Sequence, residues 1–202
     1  MIRSLIAAAL IVAPVAAFAQ SPVANPAPTA VQAGNYTVET THTRVQFTVS
    51  HMGFSDWYGD LTGVTGSLVL DPKAPAKAKV DVTIPVSSIS TTNTTLDGEL
   101  KSDAWLDAGK YPEIRFTSTG VTPTGPRTAN ITGNLTFHGV TRPVVLKAAF
   151  LASGVNPLSK GYTVGFNATT AIKRTDFGVK TYIPLIGDDV TLRISAAFEK
   201  AK

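Results

Sequence analysis

Cysteine is absent from all 202 residues. That excludes disulfide staples, thiolate metal sites and thiol nucleophiles, so the fold has to rest on its apolar core. Histidine is nearly as scarce. His42 and His51 are nine residues apart and would fall on opposite faces of an extended strand, and His138 sits beside Gly139 in a turn sequence. No tight ligand spacing joins them, and no metal site is expected. Charge is sparse as well: 18 Lys and Arg against 14 Asp and Glu give a net +4, with no basic block. A nucleic-acid partner, which needs a clustered basic face, is therefore not expected. Beyond the N-terminus no apolar run approaches the roughly 20 residues of a helical membrane span. With two Trp in the chain, the aromatic girdles of a transmembrane barrel are missing too. No Gly-x-Ser-x-Gly elbow surrounds the serines of Ser87-Ser88-Ile89-Ser90, and Asp103 and Asp107 read as solvated side chains. No catalytic residue is assigned, and an enzyme is not expected.

The N-terminus has a recognisable pattern. Arg3 precedes an apolar run from Leu5 to Val15, and Ala17-Phe18-Ala19 ends it. A charged start, a short apolar stretch and a small-x-small site make a secretory signal peptide over residues 1–19. The expected location is the periplasm. Residues 20–34 carry three prolines, many small residues and no charge, the composition of a disordered tether. Residues 35–202 read as one domain.

Within that domain apolar and polar residues alternate. Val45, Phe47 and Val49 share one face, as do Gly66, Leu68 and Leu70, then Val80, Val82 and Ile84. The same period of two runs through Ile114 and Phe116, through Gly133, Leu135 and Phe137, and through Ala148 and Phe150. It continues through Phe166 and Ala168, and through Leu192, Ile194 and Ala196. Such alternation marks half-buried strands. The result is an all-β chain of eight segments, with one short helix between the third and fourth, inside Thr91–Asp107. Leu96, Leu100 and Ala104 would form its apolar face. One helix cannot cover eight apolar strand faces. The alternatives are two packed sheets or one closed sheet. Small inward residues (Gly66, Gly133, Ala148, Ala168 and Ala196) point to free space inside.

Several segments, in order, resemble the YceI-like polyisoprenoid-binding family across nearly all of residues 35–202. They are His51-Met52-Gly53-Phe54-Ser55, Tyr111-Pro112-Glu113-Ile114-Arg115-Phe116 and Gly133-Asn134-Leu135-Thr136, followed by Gly139-Val140-Thr141-Arg142-Pro143-Val144. Arg174-Thr175-Asp176-Phe177-Gly178 and Gly187-Asp188-Asp189-Val190 complete the set. Two departures stand out: Glu99 where the family often has His, and Trp105-Leu106 where it has Phe-Phe.

The resemblance implies an eight-stranded, up-and-down antiparallel, lipocalin-like β-barrel in the periplasm. It also implies an apolar tunnel for a polyprenyl chain, such as the tail of a polyprenyl lipid or a quinone, with that lipid as the ligand and no other cofactor. On this reading Phe47, Val49, Leu68, Val82, Ile84 and Phe116 form one part of the tunnel wall. Leu135, Phe137, Phe150, Phe166 and Ile194 form the rest. His51, Lys173 and Arg174 are the candidate headgroup contacts. In the Arg174–Gly178 segment, Gly178 would take an unusual backbone angle, Phe177 would anchor the loop, and Arg174 and Asp176 would satisfy loop polar groups. The expected role is that of a carrier. Two alternatives stay open: a stress-linked structural barrel filled by its own side chains, and an accessory that presents quinone to a membrane cytochrome b. Oligomeric state, a homodimer included, also stays open.

Overall fold

The computed structural model describes residues 23–201. The expected signal peptide lies outside them. The described chain is built from ten strands and one α-helix: β1 (Gly34–Val38), β2 (Arg44–His51), β3 (Ser55–Leu61), β4 (Thr65–Leu70), β5 (Lys79–Pro85), α1 (Thr94–Lys101), β6 (Glu113–Gly125), β7 (Thr128–Phe137), β8 (Val140–Val155), β9 (Tyr162–Lys173) and β10 (Ile186–Lys200).

All pairings are antiparallel, and β1 and β2 pair with successive stretches of the same strand. Val38 faces Phe198, while Arg44 faces Ser195 and His51 faces Ile186 on β10. On their other edges, β1 pairs with β4 and β2 with β3. β1 and β2 are thus one stave interrupted at residues 39–43, and β3 and β4 are a second interrupted at 62–64. Each stave bonds to the next in chain order, and β10 closes on the first. The barrel is eight-stranded and up-and-down, as the resemblance implies. Closure leaves few bare sheet edges, which otherwise invite pairing with other chains. The alternating segments each fall on a separate stave. β3 escaped the pattern because its inward positions are Trp57, Gly59 and Leu61, with acids and a tyrosine between them.

The helix sits between β5 and β6, shorter than the window read from sequence. Asn93 caps it, its side-chain oxygen accepting from the N–H groups of Thr95 and Leu96 at 3.1 Å each. This satisfies two of the donors that a helix start leaves bare. Leu96 and Leu100 are half-buried, but Ala104 is exposed and lies past the helix end. The packing comes instead from Trp105 and Leu106, buried in the turns that follow.

Two further expectations change. Gly66 and Gly133 leave no room inside. A Cβ on Gly133 would lie 2.4 Å from the Phe116 ring, and one on Gly66 would lie 2.1 Å from the Asp81 carbonyl oxygen. The space that glycine frees is taken by an aromatic ring in one case and by the neighbouring strand in the other. The second correction concerns the segment read as a tether. From residue 23 onward it is folded against the barrel. Asn25 and Ser153 exchange backbone hydrogen bonds of 2.8 and 2.9 Å. Pro28–Ala30 form a 3-10 turn, the Tyr162 hydroxyl donates to the Ala30 carbonyl at 2.9 Å, and Val31 is 7 % exposed. Gly154 makes the approach feasible, since any Cβ there would meet the Val23 carbonyl oxygen at 2.0 Å. Pro-rich composition reads as disorder because it offers few donors. Here a strand edge and a buried valine supply what the composition does not show.

Buried side chains form two clusters. One gathers at the end carrying α1, with Ile84, Trp105, Phe116, Leu135 and Phe177 among its members. The other lies toward the opposite end, with Val31, Tyr36, Leu68, Phe150 and Val164.

Candidate functional site

A cavity of about 420 Å³ lies inside the barrel, within the roughly 300–1,000 Å³ typical of small-molecule sites. Strand register builds its wall. Phe47 and Val49 of β2 lie opposite Leu192 and Val190 of β10, and all four face inward. The eleven residues read as tunnel wall all line it: Phe47, Val49, Leu68, Val82, Ile84, Phe116, Leu135, Phe137, Phe150, Phe166 and Ile194. Ala148, Ala168 and Ala196 line it as well.

Burial sorts these residues by depth. Ile84, Phe116 and Leu135 are buried in the cluster at the α1 end, and Leu68 and Phe150 in the other cluster. Phe47, Val49, Val82, Phe137, Phe166 and Ile194 are only half-buried although they point inward. A half-buried side chain on an inner face borders on empty space, because a filled core packs at crystal-like density.

The α1 end is sealed. Arg174 is 4 % exposed. Its guanidinium donates to the carbonyl oxygens of Gly187, Val179, Thr181 and Ile186 at 2.8–3.3 Å and stacks over the Trp105 ring at 5.3 Å. Burial pulls its pKa below the usual guanidinium value, partly offset by the charge of Asp188. Every nitrogen of this side chain is occupied by backbone. Phe177 is buried beside it and Gly178 takes a left-handed φ of 82°, as read from the segment. The loop polar role expected of Asp176 belongs to Asp188, whose carboxylate accepts from the Thr175 N–H and hydroxyl at 2.9 Å each.

The other two candidate headgroup contacts are absent from the cavity wall. Lys173 points to solvent and pairs with Asp189 at 2.9 Å. The His51 ring sits 6.2 Å from that of Trp57. Of the remaining histidines, His42 pairs with Glu39 at 2.8 Å and His138 meets the Phe177 carbonyl at 3.1 Å. Among the described residues, no group of three or more His, Asp or Glu could hold a metal ion.

The opposite end is open. Every exposed lining residue lies there: Pro75 on the β4–β5 connection, and Pro123, Gly125, Pro126, Arg127 and Thr128 around the β6–β7 turn. Pro28 and Val31 of the N-terminal segment complete this rim. Sequence reading missed all of them, because turn residues carry no period from which to assign a face.

Residues 36–198, from β1 to the last buried side chain of β10, match the sequence profile of the family described as YceI-like domain. The chain belongs to that family. A relative from Pseudomonas fluorescens, called UPF0312 protein, is 39% identical over 179 residues, covering 85% of this chain and 90% of that protein. One from Pseudomonas syringae pv. tomato is 40% identical over 139 residues, covering 69% and 72%. Among solved structures, a Campylobacter jejuni YceI protein is 27% identical with a TM-score of 0.65, covering 76% of this chain and 90% of that one. BcnA of Burkholderia cenocepacia shares the fold at 23% identity and a TM-score of 0.72, covering 79% and 98%. So does a polyisoprenoid binding domain from Saccharophagus degradans, at 14% identity and a TM-score of 0.63, covering 84% and 100%. The YceI-like match begins at Tyr36, so the N-terminal part of the rim lies outside it.

Proposed function

We propose that this YceI-like barrel is a periplasmic carrier that holds the tail of one long-chain isoprenoid lipid in its cavity. The observation that carries the reading is the cavity itself: about 420 Å³, walled almost wholly by aliphatic and aromatic side chains, sealed at one end and open at the other. A tail threaded there loses water along its length. Burying ~500 Å² of hydrocarbon is worth on the order of 12 kcal/mol gross at ~25 cal/mol per Å², and ordering the tail offsets much of it. A wall of this kind measures length and girth and has little to say about polar chemistry. The polyisoprenoid binding named for the Saccharophagus degradans domain, on the same fold, agrees with an isoprenoid tail. The apolar run ending at Ala19 agrees with export. A barrel filled by its own side chains is the weaker reading, since inward residues such as Phe47 and Ile194 are not fully buried.

The test is native mass spectrometry of protein purified from its own cells, with organic extraction and lipid mass analysis. One isoprenoid per barrel is the expected result. A clean unliganded mass, with no uptake of added long-chain polyprenols or quinones, would overturn the reading.

A further inference from the structure

The carrier reading leaves the headgroup unspecified, and the geometry of the open end bears on it. Among the described residues, the cavity wall contains two charged side chains, Arg127 and Arg174, and no carboxylate. Arg174 is enclosed at the sealed end with all its nitrogens engaged by backbone carbonyls, so it has nothing to offer a ligand. A tail that enters from the open end leaves its headgroup at the rim, where Arg127 stands.

Arg127 is exposed yet fixed. Its Nε donates to the Phe150 carbonyl oxygen at 3.2 Å, and its Nη2 donates to the same oxygen at 3.0 Å and to that of Leu151. The guanidinium lies over the Phe150 ring, 5.8 Å from its centroid. Phe150 is itself a wall residue. The cation is thus tied to the tunnel by the residue that the tail would touch. Among the described residues Nη1 has no acceptor, so the two N–H groups of that nitrogen remain for an incoming oxygen. The β4–β5 connection, which supplies Pro72 and Pro75 to the rim, carries exposed Lys73 and Lys77. Its one acid, Asp71, accepts from the Lys73 backbone N–H at 2.9 Å.

We propose that the rim selects an oxyanion headgroup, a phosphate or carboxylate, with Arg127 as its contact and Lys73 and Lys77 adding to the local field. The proposal rests on the carrier reading. A guanidinium held by part of its donor set offers the remainder in a fixed plane, which suits an oxyanion better than a neutral hydroxyl or quinone. Because the site is solvent-facing, its attraction for anions weakens as salt rises.

The experiment compares a long-chain polyprenyl phosphate with the polyprenol of the same length on the full exported chain, at low and high salt, with inorganic phosphate as a separate probe. The expected result is a preference of about tenfold or more for the phosphate lipid, reduced by salt. Arg127→Gln should abolish the preference while leaving polyprenol binding in place, and Arg127→Lys should keep part of it. A Lys73→Gln, Lys77→Gln double variant, on an exposed connection, should lower it a few-fold and keeps the test readable if Arg127→Gln fails to fold. Equal binding of both lipids by the unmodified protein would overturn the headgroup proposal and leave the carrier reading standing. Binding of neither would overturn both. Inorganic phosphate bound alone as tightly as the phosphate lipid would overturn the proposal by making the rim a site for free phosphate.

Discussion

The indole N–H of Trp105 donates to the Glu99 carboxylate at 3.2 Å. Each belongs to one of the two departures of the chain from the motif pattern it otherwise follows, and they are partners. Trp105 is 8 % exposed and packs against the buried cluster that closes the barrel. A phenylalanine there would need no acceptor, whereas a tryptophan does, because its N–H only donates. Glu99→Ala should therefore lower stability by about 1 kcal/mol, the usual net worth of such a bond. Trp105→Phe combined with Glu99→Ala should cost less than the sum of the two single changes. Urea unfolding of the four proteins in the cycle checks this, and strict additivity would show that the bond contributes nothing.

A larger effect is expected at Arg174. Its guanidinium satisfies four carbonyl oxygens in the loop that closes the sealed end. Arg174→Met would strand those acceptors around an apolar chain and unstack Trp105. The expected loss is several kcal/mol, since each buried acceptor left unpaired costs about 1–3 kcal/mol, and it is read as a lower urea midpoint. Arg174→Lys should recover only part of it, because one ammonium cannot reach acceptors spread along Val179, Thr181, Ile186 and Gly187. A midpoint within error of the unmodified protein would mean that this cation does not hold the loop.

Asp188 should contribute to acid sensitivity, alongside Glu39, Asp81 and Asp97, whose carboxyls are also held below the ordinary range. Partial burial pushes the Asp188 pKa up, but the bonds from Thr175 and the charges of Lys173 and Arg174 outweigh that, so the net value lies below the ordinary carboxylate range. A carboxyl group whose pKa is depressed by folding contributes stability above its unfolded value, near 3.9. That contribution fades as pH falls through the folded value. Asp188→Asn should thus lower stability at pH 7 and flatten the decline of stability below about pH 4. Unfolding midpoints across that range check it, and parallel curves for the two proteins would assign the acid response to other groups.

What was legible and what was not follow from how each signal arises. Period two tells inward from outward, and it placed Phe47, Leu135 and Ile194 on the inner face without error. It says nothing of depth, so Phe116, buried over Gly133, and Phe166, bordering the cavity, look alike in sequence. It is also silent in turns. Arg127, Pro75 and Pro123 form the rim, yet nothing in their local pattern distinguishes them from any solvated loop. The residues allowed two roles for Arg174, a headgroup contact near the barrel end or a donor to loop polar groups, and local sequence does not choose between them. The folded chain selects the second, with backbone carbonyls around every nitrogen of the guanidinium.

The N-terminal segment is the sharpest case. Removing residues 20–33 should leave the barrel folded, since its strand pairings begin at Gly34, and should widen the open end. Ligand uptake and release are then both expected to accelerate, with amide exchange at Ser153 rising as its partner Asn25 is lost. Stopped-flow uptake of a fluorescent polyprenyl analogue measures the first effect and hydrogen exchange the second. Unchanged uptake rates would show that entry does not pass this edge of the rim.

Depth decides which wall substitution is informative. Leu135 and Phe150 are buried among core side chains, so a charge at either would report on folding before it reported on binding. Ile194 is inward and half-buried, in mid-strand on β10, with Ala168 beside it on β9 and Val45 on β2. A lysine there has free volume for its stem and an ammonium group stranded among hydrocarbon, which an incoming tail would have to desolvate further. Ile194→Lys should keep the β-sheet circular dichroism spectrum of the unmodified protein and lose the lipid mass. Retention of a full complement of isoprenoid by a folded Ile194→Lys protein would place the tail elsewhere than in the cavity, however well its dimensions suit one.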